Sequence, residues 1–592
     1  MKDFLKMTGA VLTGLFIWGC LTSLFLIIAT VMMMASMMKN TSNNNSSIRS
    51  NSVLRLNLCD AIDERSSTDY SSIYSSLSFE KMNKLGLNNI ALALEKAASD
   101  DKILGLCINC SDYNLADIAI ADELRNRIKK FKEVSGKPVF AFSNSFENFD
   151  YYIATIADSV FMRTMGEFGL NGLCSQSMYY KGALDKFGIQ AQVLRHGKFK
   201  SAVEPYIQET MSDANREQIT KYLGDIWSTV ANTISADRGI ELASINKHAN
   251  ALDLYANDEL CIAEGFVDGV IYESDFDKKV AENFYYDGTE SPEYVTISKY
   301  IDSLTDDDAT GTDKIAVLYA TGEIVSESNG DQYITSKDML KEIKKIKDDD
   351  NIKAVVLRVN SPGGSATEAE IIHNALMELR DTKPLVVSMG GYAASGGYYI
   401  SCPAHKIYAD PNTITGSIGV FGLLMNPEKL LNKTIGINIE TVKTHDMSDI
   451  NAGMTEKSSQ ELSVMQRDVE RIYGIFLRHV ADGRSMSVDS VDMIAQGRVW
   501  TGKSALEIGL VDEIGGLDMA IDKAAELAEI YGDASIQEFP EQEDEFSKIF
   551  SAFTDEAARM MYGDEILAQK RFIKNFKSHT GVQAWLPPTK IK

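Results

Sequence analysis

Surplus positive charge, cysteine and histidine are all scarce in this chain, and each scarcity removes a class of function. Lys and Arg number 59 against 84 Asp and Glu, a formal net charge of -25 over 592 residues. Phosphate backbones are bound through surplus cations, so nucleic acid is excluded as the main partner. Seven cysteines in so long a chain do not make a disulfide framework. Cys107 and Cys110 form a CxxC, but they sit in and just after the apolar run Ile103–Ile108. With no second CxxC or His pair beside them they read as buried small residues. Charge is missing altogether from Met7 to Met38, which follow Lys2 and Lys6 and include the apolar block Leu24–Val31. That stretch is long enough to span a bilayer, which takes about 20 residues. A cleaved signal peptide is the alternative, with Ala29 and Ala35 as small residues. Cys20 after Gly19 has the setting of a lipoprotein site, but Trp18 and the apolar continuation argue against lipidation. Lysines on both sides (Lys2, Lys6 and Lys39) leave the orientation unset.

The length calls for two or more core-forming units. Residues 1–39 are expected to be a membrane anchor and the Asn- and Ser-rich 40–52 a flexible linker. The chain beyond residue 52 contains an internal repeat. Asp150-Tyr151-Tyr152-Ile153-Ala154 matches Gly397-Tyr398-Tyr399-Ile400-Ser401 at an offset of 247, and Ala263–Gly269 matches Glu507–Glu513 at an offset of 244. Leu104–Asn109 parallels Val355–Asn360. In each half apolar strands alternate with amphipathic helical stretches, which predicts an α/β fold of two tandem repeats with mainly parallel sheets. The repeats are placed at 53–300 and 314–536, joined by the acidic linker 301–313 and followed by a C-terminal extension, 537–592, with no readable role.

The chemistry centres on Met389–Tyr399, where Ser395 stands among glycines and alanines after the apolar strand Leu385–Ser388. A nucleophile at a sharp strand-to-helix turn needs small neighbours that admit a substrate carbonyl, and Gly396 offers a backbone N–H beside the attacked carbon. About thirty residues earlier, Ala354–Val359 runs into Asn360-Ser361-Pro362-Gly363-Gly364-Ser365, where the N–H of Gly363 or Gly364 would complete an oxyanion hole. A serine needs a base. The histidines are His196, His248, His373, His405, His445, His479 and His579; His405 follows the serine closely but has no obvious orienting acid. A lysine is the other choice, provided burial lowers its pKa toward neutrality.

Four motifs then carry a resemblance: Asn360–Gly364, Gly391–Tyr398, Thr415–Val420 and Phe199–Tyr206. Together with the duplicated layout they resemble the signal peptide peptidase A family in its long, two-domain form, of the Clp-protease/crotonase superfold. The likeness covers Val53 to about Leu527 and the N-terminal anchor. It implies a membrane-bound serine endopeptidase that degrades cleaved signal peptides and similar short apolar peptides through an acyl-enzyme. Carried over by position, Ser395 is the nucleophile, Lys200 the general base and Ser417 the group that orients the lysine, with Gly364 and Gly396 as oxyanion donors. Lys198 is the nearby rival for the base. The resemblance implies a homo-oligomer, a tetramer for the long form, in a cell inner membrane with its catalytic portion extracytoplasmic. No metal, nucleotide or organic cofactor is implied. The repeat offers an independent check. At the offset of 247, Asn148 stands opposite Ser395, and aligning Gly188-Ile189 with Gly436-Ile437 puts Ser448 opposite Lys200. Each half therefore keeps one member of the pair, as two repeats facing one site require. Two other readings compete: a catalytically silent membrane-anchored scaffold of the same fold, and a crotonase-type acyl-CoA enzyme.

Overall fold

The computed structural model describes residues 18, 48–60, 62–69, 82–115, 117–284, 292–304, 313–327, 333–532, 534–541 and 582–585. The predicted anchor at 1–39, apart from Trp18, lies outside the described residues, as do most of the linkers at 40–52 and 301–313 and most of the extension at 537–592. Among the described residues no helix is long and apolar enough to cross a membrane.

Runs such as Leu385–Ala394 and Ile352–Ser361 are apolar on both faces because both faces are covered, the usual state of parallel strands. The first half builds a six-stranded sheet in the order Glu293–Thr296, Ser52–Asn57, Ile103–Asn109, Val139–Ser143, Ser159–Arg163, Gly269–Ile271, with every pairing parallel. The second half repeats that order with Ser535–Phe539, Lys314–Thr321, Ile352–Ser361, Leu385–Ala394, Lys406–Ala409 and Glu513–Ile514, again all parallel. The duplication seen in short sequence matches is thus a duplication of sheet topology. The second sheet adds Ile414–Gly416 on the far end of Leu385–Ala394, and then antiparallel Val499–Thr501. Helices close the layers with ordinary caps: the Ser365 side chain accepts from the Glu368 N–H, and Ser458 and Glu461 form a capping box. Cys107 and Cys110 are buried and free, as small core residues.

The halves interpenetrate. Ile414 and Val499 of the second half belong to the core of the first, and Leu194 of the first belongs to the core of the second. A third, mixed sheet crosses between them, in which Gln190–Arg195 pairs antiparallel with Phe421–Asn426. Polar contacts fix the same interface. The fully buried Arg358 guanidinium donates to both oxygens of Glu64 at 2.8 and 3.1 Å and lies 2.6 Å from Glu123 Oε1. Asn360 Nδ2 donates to Asp117 at 3.0 Å, and Asn412 Nδ2 donates to both oxygens of Asp122 at 3.0 Å. Burial is the larger influence on Glu64 and raises its pKa to about 7, with Arg358 pulling it back.

Candidate active site

This interface determines the glycines around Ser395. A Cβ on Gly390 would stand 2.4 Å from Glu64 Oε1, and one on Gly391 would stand 2.2 Å from the Asp117 carboxyl carbon. A Cβ on Gly397 would meet the Ser361 carbonyl oxygen at 2.6 Å. These three glycines admit other parts of the protein. The expectation that small residues here make room for a substrate carbonyl is corrected for them: the first half's carboxylates and the neighbouring strand occupy the space.

Ser395 itself stands between the strand Leu385–Ala394 and the helix Gly396–Ser401 with φ 57 and ψ −113. A positive φ is costly for a residue with a side chain and persists only where its surroundings hold it. Here the Ser395 N–H donates to the Gly416 carbonyl at 2.8 Å, and its own carbonyl accepts from Tyr399 N–H at 2.9 Å. Ser417 is held in the same way, with φ 49 and its N–H donating to the Arg498 carbonyl at 2.7 Å. Both hydroxyl-bearing turns are therefore fixed by backbone bonds that leave the side chains free for other partners.

Lys200 reaches this point from the first half. Its Nζ lies 2.8 Å from Ser395 Oγ, 2.9 Å from Ser417 Oγ and 3.1 Å from the Ser417 carbonyl oxygen. The lysine is 1% exposed, and burial alone lowers its pKa to about 7. A neutral amine has two N–H groups and one lone pair, and three partners surround this one. If the two Ser417 oxygens take the N–H groups, the lone pair faces the Ser395 hydroxyl. The Ser417 hydroxyl has its own acceptor in the Gly497 carbonyl, at 3.5 Å, which leaves its oxygen free to accept from the lysine.

Two groups hold the lysine's backbone, and sequence reasoning missed both. Gly497 (φ 79) lies so close that a Cβ there would meet the Lys200 nitrogen, Cα and Cβ at 2.6 to 2.8 Å. Gln218 Nε2 donates to the Phe199 carbonyl at 3.1 Å and to Ser201 Oγ at 3.0 Å, while its Oε1 accepts from Val499 N–H at 3.3 Å. Neither stands in a recognisable motif, since both act through spacing that only the folded chain reveals.

The remaining candidates separate clearly. Lys198 is exposed, with its ammonium over the Phe199 ring at 4.8 Å. His405 packs against Leu385, at the opposite end of the strand from Ser395. No histidine among the described residues bonds to Ser395, and His579 lies outside them. Gly364 has φ 155 and lies against the Ile324 backbone, where a Cβ would stand 2.0 Å from the Ile324 oxygen. Gly363, the alternative to Gly364, gives its N–H to Ser361 Oγ at 3.2 Å. Ser361 pairs with Ala393, so the Pro-Gly-Gly turn lies beside the end of the strand that carries the serine.

A further strand lies beside this turn. Val582–Trp585, from the extension that showed no motif, pairs antiparallel with Gly363–Ser365 on one side and with Phe421–Gly422 on the other. Ala584 stands opposite Gly364. The groove between those two strands therefore accepts an extended chain hydrogen-bonded on both edges.

Comparison with known proteins gives the family. The model of peptidase family S49 matches residues 131–284 and again 377–531, once in each half. The chain is 37% identical to Protease 4 of Salmonella typhi over 462 residues, covering 76% of this chain and 74% of that protein. It is 33% identical to Protease 4 of Haemophilus influenzae over 506 residues, 83% of this chain and 82% of that protein. Serine protease SPPA, chloroplastic, of Arabidopsis thaliana is 29% identical over 491 residues, 82% of this chain and 70% of that protein.

Proposed function

The chain belongs to peptidase family S49 and is a serine protease, and from that premise we propose that Ser395 is its nucleophile and Lys200 its general base. The observation that carries this reading is the 2.8 Å approach of a fully buried lysine from one half to a strained serine from the other. A lysine lowered to about 7 is half neutral at physiological pH. The neutral amine takes the Ser395 proton as Oγ attacks a peptide carbonyl; the ammonium then gives that proton to the leaving amine. Lys200 next activates a water that releases the acyl group from Ser395. Ser417 orients the amine throughout. The N–H groups of Gly364 and Gly396 receive the developing oxyanion, and one such donor is worth about 3 kcal/mol in other serine peptidases.

The substrate enters as an added strand between Gly363–Ser365 and Phe421–Asn426, in the manner of Val582–Trp585. Main-chain pairing on both edges suits extended peptides of many sequences. The four motifs and the uncharged stretch Met7–Met38 support cleaved signal peptides and similar apolar peptides as the substrates, met at a membrane by an anchored, extracytoplasmic enzyme. The same resemblance supports a homotetramer. No cofactor takes part in these steps.

A fluorogenic peptide assay on the full chain beside Ser395→Ala and Lys200→Ala tests the reading. Loss of turnover in both variants is expected, and full activity in either removes that residue from its role. A silent scaffold would leave the unaltered chain without turnover on any peptide, and a crotonase-type enzyme would turn over acyl-CoA and leave peptides intact.

A further inference from the structure

Behind the nucleophile, three helices meet at a cluster the peptidase reaction does not use. Glu370 and His373 lie one turn apart on the helix Ala366–Arg380, so their side chains share a face. His479 comes from the helix Ser459–Arg484. One oxygen or nitrogen from each can be chosen such that all three atoms lie within 4.8 Å of one another. The two imidazole rings overlap with centroids 4.0 Å apart.

The hydrogen bonding leaves donor atoms over. His479 Nε2 is 2.9 Å from Glu370 Oε2, and that same oxygen accepts from the Tyr399 hydroxyl. Among the described residues Glu370 Oε1 has no hydrogen-bond partner. The same holds for both ring nitrogens of His373, although that residue is only 5% exposed. Neither His373 nitrogen is sealed from solvent, so an ion can reach the ring without displacing a bond inside the protein.

We propose that Glu370, His373 and His479 form a binding site for a divalent transition ion of the zinc type. Two imidazoles and one carboxylate suit a borderline cation better than magnesium or calcium, which take oxygen ligands. At zinc bond lengths of about 2.0–2.2 Å the ligand atoms stand about 3.3 Å apart, so side-chain rotations of about 1 Å close the site. On binding, His479 carries its proton on Nδ1, the ring stays neutral, and the ion takes the place of the Nε2–H between His479 and Glu370. The Tyr399 hydroxyl keeps its bond to Glu370 Oε2 and orients the carboxylate from outside the coordination sphere. The ion would tie together the helix after Gly363–Ser365, the helix after Ser395 and the long helix Ser459–Arg484. Its part is to brace the floor of the active site.

The test uses the full chain, untagged and stripped with a chelator, titrated with Zn²⁺ in a calorimeter and with Co²⁺ in a visible spectrometer. One Zn²⁺ per chain and Co²⁺ ligand-field bands are expected. Both should weaken at least tenfold in His373→Gln and in His479→Gln, while peptide turnover of the stripped variants stays within about twofold of the stripped unaltered chain. Equal uptake by a His373→Gln, His479→Gln double variant, or uptake without ligand-field bands, overturns the proposal.

Discussion

Replacing Lys200 with methionine should end catalysis and stabilise the fold at neutral pH. The lysine is buried with no acid to pair it among the described residues, and its pKa falls from 10.5 to about 7. In the unfolded chain the amine keeps its ordinary value. Between about pH 7 and pH 10.5 the unfolded chain therefore holds a proton that the folded chain has released, and the unfolding free energy rises with pH. A tenfold change in proton affinity is worth about 1.36 kcal/mol, so at pH 7 the buried amine costs the fold about 4 kcal/mol, a cost that vanishes above pH 10.5. Methionine has a similar length and no charge to desolvate. It strands the oxygens of Ser395 and Ser417 that faced the amine, which returns about 1–3 kcal/mol of that gain. The net expectation is stabilisation by about 2 kcal/mol at pH 7 and destabilisation above pH 10. Guanidinium unfolding of both proteins across about pH 6 to 10.5 reads this directly, as curves that converge and then cross. A variant less stable at pH 7, with the same pH dependence as the parent, would refute a depressed lysine.

The same lysine sets the activity profile. Because the reactive form is the neutral amine, kcat/KM should rise about tenfold per pH unit below pH 7 and level off above it, with one ionisation; a bell centred on a histidine would contradict this. Arg358→Met leaves Glu64 buried without its cation and Glu123 with Arg127 alone, and a loss of about 3–5 kcal/mol is expected in denaturant unfolding. Turnover should fall with it, since that contact aligns the half bearing the lysine with the half bearing the serine. Deleting 582–592 should lower KM for short peptides severalfold with kcat little changed, because Val582–Trp585 occupies the substrate's own pairing edges; an unchanged KM would mean that the strand leaves the groove before substrate arrives.

The architecture was legible because the repeat leaves local traces. Tyr-Tyr-Ile at 151–153 and 398–400 marks the same helix in both sheets. Asn148 shows why the first copy has no nucleophile: its amide bonds Asn171 and Gly172 and braces a turn. The Ser395, Lys200 and Ser417 motifs were legible for the same reason, as each is a compact string. The residues that escaped reading act between strings. Gly497 and Gln218 matter only because the fold presses them against the lysine loop, and Gly390 and Gly391 answer to carboxylates more than 270 residues away in sequence. The strand Val582–Trp585 pairs through its backbone, and the sequence there holds no motif that tells where it docks.

One serine and one lysine, from different repeats, make a single nucleophile: that is the central claim. A fluorophosphonate that phosphonylates activated serines, with peptide mapping of the adduct, tests it most directly. Label is expected on Ser395 alone, at a rate that rises through about pH 7 and is lost in Lys200→Met. Label on another serine, or undiminished labelling of Ser395 without the lysine, would contradict it.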